Sequence, residues 1–114
     1  MPAKHAHFIV GPAEDRDAGF VFTFLTENGT RILVSRIFES RADAVAAAGL
    51  MKLHAGHAER YQRDDAESGI ASFSIVDHSG DEIAKSLDFS TRLARELAIE
   101  RTLQAASTAP IYAN

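Results

Sequence analysis

Few residues in this chain are placed to do chemistry. His54-x-x-His57 is the one histidine pair at a metal-like spacing. Two histidines three apart can share a helical face, but a catalytic zinc needs about three protein ligands, and no third is evident. His54 reads as the last turn of a helix, where a cation suits the dipole. Gly56 should end that helix and leave His57 in a linker. His5-x-His7 reads as a terminus or a strand start. Without cysteine, thiolate metal sites, disulfides and cysteine nucleophiles are excluded. We expect no metal and no cofactor.

Ser35 and Ser86 invite a nucleophilic reading. No histidine stands at a matching place beside both, and no Gly-x-Ser-x-Gly elbow is present. They read instead as hydroxyls bonding backbone where strands end. No phosphate loop, dinucleotide fingerprint or telling carboxylate pair appears. No catalytic residue is assigned, which weighs against an enzyme.

The remaining polar candidates describe a surface. Arg41 and Arg92 each fall in the first turn of an expected helix, where the dipole disfavours a cation. One reading makes them anion-binding points beside free helix N–H groups. The other, preferred, makes them inherited positions with an acid nearby. Glu59, Tyr61 and Arg63 alternate onto one strand face, Arg60 and Gln62 onto the other. Arg60, Tyr61, Arg63, Arg41 and Arg92 are therefore the candidate interaction surface, although Tyr61 also suits a half-buried core position.

What must position these residues is a repeat. Shifted by 51 positions, residues 22–53 align without a gap on 73–104. Phe22/Phe73, Gly29/Gly80, Ile32/Ile83, Ser35/Ser86, Phe38/Phe89, Arg41/Arg92 and Ala47/Ala98 are identical pairs. Phe20, Phe22 and Phe24 alternate with Val21 and Thr23, the period of a strand. Asn28-Gly29 signals a hairpin in which both residues can take positive φ. Ile32-Leu33-Val34 returns, and Ser40 caps an alanine-rich helix over about 41–54. The second copy follows suit through Phe73, Ser79-Gly80 and a helix over about 91–106, with Leu93 and Leu97 on one stripe. A strand precedes each hairpin, at Ala6–Val10 and Glu59–Arg63. The Gly11–Gly19 loop is longer than its counterpart and contains Pro12.

The expected fold is α+β: one domain over 1–114, with two tandem strand–strand–strand–helix repeats and antiparallel sheets. Repeat one spans about 6–55 and repeat two about 58–106. The tail 107–114 should fray unless Ile111 and Tyr112 dock. Phe22, Phe24, Phe38, Phe73, Ile75 and Phe89 should be buried.

Ala58-Glu59-Arg60-Tyr61-Gln62-Arg63, Ser68-Gly69 and Phe73 closely resemble the second repeat of the YegP-like bacterial proteins. Asn28-Gly29, Ile32-Leu33, Ser35, Phe38 and Ser40 resemble the heart of that repeat, as do Ser79-Gly80, Ile83, Ser86, Phe89 and Thr91. The resemblance covers most of 7–106. It implies antiparallel strands plus a helix, used twice, and no defined activity. Ala46-Ala47 and Leu97-Ala98 stand where such repeats usually carry a polar residue and glycine.

Composition narrows the function classes. The net charge is −4 over 114 residues, all of it in residues 57–114. An acidic chain lacks the footprint of a general nucleic-acid binder and is poorly suited to anionic membranes. No apolar run approaches a membrane span, and the first residues hold no signal-peptide h-region. A cytoplasmic location is expected. Each copy leaves strand edges to cover, so the function expected is that of a non-enzymatic, self-associating interaction or scaffold domain, most simply a homodimer. The alternatives are a nucleic-acid-binding accessory protein and a small-molecule-binding, stress-related enzyme.

Overall fold

In the computed structural model, which describes residues 5–113, nine regular elements follow one another. They are β1 (His7–Pro12), β2 (Phe20–Leu25), β3 (Arg31–Ser35), α1 (Arg41–Ala55), β4 (Tyr61–Asp65), β5 (Ala71–Val76), β6 (Glu82–Ser86), α2 (Arg92–Ala105) and β7 (Ile111–Ala113). The class is α+β.

The strands form one seven-stranded mixed sheet in the order β4-β5-β6-β3-β2-β1-β7. This corrects the expectation of separate antiparallel sheets. β3 pairs antiparallel with β6, Leu33 opposite Ser86 and Ser35 opposite Ala84, so two edges that would otherwise stand open close on each other. The second correction is the tail. Ile111–Ala113 runs parallel to β1, with Ile111 opposite Phe8. The Phe8 N–H donates to the Pro110 carbonyl at 2.8 Å. Docking gives β1's outer backbone groups a partner and half-buries Ile111.

The hairpins sit where the sequence places them but use another turn. The Gly29 N–H donates to Thr26 O, and the Thr26 N–H to Thr30 O, both at 2.9 Å. The loop therefore has three residues with glycine last. Gly29 takes φ +82° and Gly80 +89°, while no non-glycine described residue, Asn28 included, has positive φ. A type I turn closed by a left-handed glycine needs one such position, not two.

Strand register puts Phe8, Phe24, Leu33 and Ser86 in one row of a single face, with Phe73, Ile75 and Ala84 beside them. Both helices pack on this face. α1 contributes Ala44, Ala48, Met51 and Ala55, and α2 contributes Ala98 and Ile99, to one shared core. Alanine at i, i+4 and i+11 lets α1 approach the phenylalanines closely. Ser40 Oγ accepts from the Asp43 N–H at 3.1 Å, and Thr91 Oγ1 from the Ala94 N–H at 3.0 Å. Ser40 is the expected cap of α1, and Thr91 rather than its neighbour Ser90 caps α2. Phe38 is buried beneath the Arg36 guanidinium, 4.4 Å above its ring. Phe89 stacks on Phe73 yet stays half-buried; among the described residues no cation covers it.

Candidate interaction surfaces

β4 begins at Tyr61 because Ala58–Arg60 forms a 3-10 turn. That start fixes the alternation. Tyr61, Arg63 and Asp65 face the helices, and Gln62 and Asp64 face away.

Tyr61 is thus a core residue, which corrects its place on the surface. It is 6% exposed and stacks on Phe73. Its hydroxyl donates to the Ala55 carbonyl at 2.6 Å. Burial pushes its phenol well above the ordinary tyrosine value. Glu59, expected beside it, falls in the 3-10 turn, 3.8 Å from His57.

The four arginines of the expected surface are not brought together as one patch. Arg63 clasps Glu96 of α2, with Nε 2.9 Å from both carboxylate oxygens and Nη2 2.8 Å from one. Arg92 Nε lies 3.5 Å from Asp65, the acid partner of the preferred reading. Among the described residues Arg41 has no such partner: its guanidinium lies 5.1 Å from the Phe20 ring centroid, with Nη1 buried and unbonded. Arg60 is half-buried in the turn, its Nε without a partner among the described residues.

One residue that sequence reasoning passed over organises this corner. Arg95 is 4% exposed. Its Nη1 contacts Asp65 Oδ1 and the Asp64 carbonyl, and its Nε lies 3.0 Å from Glu96 Oε2. The hydrogen bond from Arg63, with Arg95 adding to it, holds the Glu96 carboxyl below its usual range against an opposing desolvation. The available signal was Asp64-Asp65 in β4 facing Arg95-Glu96 one helix away.

The leucine stripe of α2 points outward instead. Leu93 is 70% and Leu97 56% exposed. On α1, Leu50 and Leu53 are exposed likewise. Both pairs lie toward the β4 end of the helix layer, since Tyr61 bonds α1's last residue while Arg63 and Asp65 hold α2's first turns.

Ser35 and Ser86 have structural partners. Ser35 Oγ accepts from the Phe22 N–H at 2.9 Å and donates to Arg36 O; Ser86 Oγ accepts from Phe73 at 2.8 Å and donates to Leu87 O. His54 stacks against His78 with ring centroids 6.4 Å apart, and His57 lies outside the helix. Among the described residues no three His, Cys, Asp or Glu side chains are grouped to hold a metal ion. No helix among them is long and apolar enough to cross a membrane.

No family model matches the chain, and no curated protein matches it. Solved structures do. The UPF0339 protein SO3888 from Shewanella oneidensis superposes with a TM-score of 0.85 at 18% identity, covering 95% of this chain and 90% of that one. The protein yegP from E. coli, described as of unknown function, superposes with a TM-score of 0.84 at 22% identity, covering 96% and 93%. The chain has the YegP-like fold.

Proposed function

We propose that this YegP-like chain is a non-enzymatic, cytoplasmic interaction domain that pairs with a second copy of itself. The carrying observation is the set of four exposed leucines, Leu50, Leu53, Leu93 and Leu97, on the solvent side of the two helices. Apolar side chains grouped on one face favour association. The strand edges, by contrast, are blunted. β4 exposes Gln62, Arg63, Asp64 and Asp65, and β7 is three residues long after Pro110. The helical face therefore suits a closed, two-fold contact better than the edges do.

The same reading takes the chain as a duplicated unit. Three features 51 residues apart support it: the Ser35 and Ser86 hydrogen bonds, the bridges Phe20–Phe38 and Ala71–Phe89, and the register shifts at Phe24/Leu25 and Ile75/Val76.

Light scattering at micromolar concentration tests the proposal. A dimer mass is expected, converting to a monomer in Leu53→Glu/Leu93→Glu with an unchanged circular dichroism spectrum. A monomeric parent, or a double variant that remains dimeric, refutes it.

A further inference from the structure

The helices cover one face of the sheet, and the other holds a groove. Its floor is Val21 and Val34, both half-buried, with Thr23 directly opposite Val34. Ile37, 49% exposed, and Leu87, 41% exposed, rise along one side. The loop from Pro12 to Glu14 forms the other wall, and the groove, open to solvent, has a volume of about 570 Å³. Sites for small ligands typically run roughly 300–1,000 Å³ and are mostly apolar with a few polar groups.

Three features set this part of the sheet apart from its counterpart 51 residues on. First, the positions 51 residues on from Val21, Thr23 and Val34 are Ser72, Ser74 and Lys85, so the second half has a polar floor. Second, the wall comes from the longer loop, ordered by a 3-10 turn at Arg16–Ala18 and by the Ala13 N–H donating to Gly19 O at 2.9 Å. Gly19 has φ +129°, and a Cβ there would meet Phe38 O at 2.2 Å and Ile37 Cγ2 at 3.1 Å. Only glycine lets the loop press against the segment that carries Ile37. Third, the charges sit at the ends. Arg31 pairs with Leu25 at one end of β2, and its guanidinium has no ion pair or hydrogen bond among the described residues. Glu14 follows Pro12, which pairs with Phe20 at the other end. Five strand steps separate these ends, about 17 Å.

We infer that the groove binds a free, single-chain aliphatic monocarboxylate. The carboxylate engages Arg31 in a charge-assisted pair, and the chain lies on Val21, Val34, Ile37 and Leu87. Glu14 repels a second anionic end, so a dicarboxylate of equal length is disfavoured. This inference is independent of the helical dimer contact, which lies on the opposite side of the sheet.

The probes are decanoate, its dicarboxylate counterpart sebacate and decyltrimethylammonium, titrated below micelle formation into the ¹⁵N-labelled full chain. Saturable decanoate shifts confined to Val21, Thr23, Val34, Ile37 and Leu87 are expected, with weaker sebacate binding. Arg31→Glu should weaken decanoate about tenfold or more, and Val34→Asp should remove binding with the amide spectrum otherwise retained. Four results overturn the inference: no saturable shift, shifts mapping to Leu50, Leu53, Leu93 and Leu97, equal affinity for decyltrimethylammonium, or indifference to Arg31→Glu. Sedimentation with phosphatidylglycerol vesicles in place of monomer binding does so as well.

Discussion

Tyr61, the first residue of β4, donates its hydroxyl hydrogen to the carbonyl oxygen of Ala55, the last residue of α1, at 2.6 Å. One bond thus ties the end of the first helix to the start of the strand that follows. Tyr61→Phe leaves the fully buried Ala55 carbonyl unpaired and should cost about 1–2 kcal/mol in urea unfolding. The pH dependence has a definite sign. The folded phenol is held above its unfolded value, so its stabilisation is present below about pH 10 and fades as pH rises further. Alkaline destabilisation should be shallower in Tyr61→Phe than in the parent.

Arg95 should prove more important than Arg92, although both approach Asp65. Arg95→Ala removes a buried guanidinium from two carboxylates that are partly solvated. A loss of about 2 kcal/mol is expected, against about 0.5 kcal/mol or less for Arg92→Ala. Equal losses in thermal unfolding would contradict this.

Acid should loosen the same corner. Glu96 is depressed in the folded state, so its contribution is present above its unfolded value, roughly pH 4.3, and is lost as pH falls through the lower folded value. Glu96→Gln should flatten the stability profile in that window, measured as urea midpoint against pH.

Ser35→Ala and Ser86→Ala should behave as twins. Each deletes a hydroxyl that accepts from a buried strand N–H and donates to the next carbonyl. Losses of about 1–2 kcal/mol are expected in both, equal within about 0.5 kcal/mol. A large inequality would count against treating the halves as equivalent.

A chain ending at Gly56 should be unfolded by circular dichroism. It would lack β6 beside β3 and β7 beside β1, and α1 would lose Phe73 and Ile75 from its core. About 50 residues bury too little surface to offset that. A cooperative thermal transition in this fragment would refute the expectation.

Local chemistry made much of the fold legible. Alternating phenylalanines, glycine-containing hairpins and the Ser40 cap were all readable, because each is decided within a few residues. The β3–β6 seam and the β1–β7 pair were not, since strand partners distant in sequence leave no local mark. Two further placements were not legible locally: the inward turn of Tyr61 and the inner face of α2. The 3-10 turn at Ala58–Arg60 shifted the strand start and turned Tyr61 inward. In α2, periodicity puts Leu93 and Leu97 on one stripe without saying which way it faces, and it is Arg95, Ala98, Ile99 and Thr102 that face in. Arg95 can do so because Asp65 and Glu96 neutralise it there, and those partners lie on another element or on its own next residue.

The pairing of Phe8 with Ile111 sets a timetable for synthesis. These residues pair across the sheet yet lie far apart along the chain, so Phe8 is synthesised well before Ile111. At roughly 5–20 residues per second, the first strand emerges several seconds before the strand that completes its outer edge. During that interval β1 and β2 offer an open backbone ladder and three phenylalanines, Phe8, Phe22 and Phe24, without their final cover. An open edge of this kind is exposed to mispairing with neighbouring chains, and docking of Ile111 beside Phe8 closes that window.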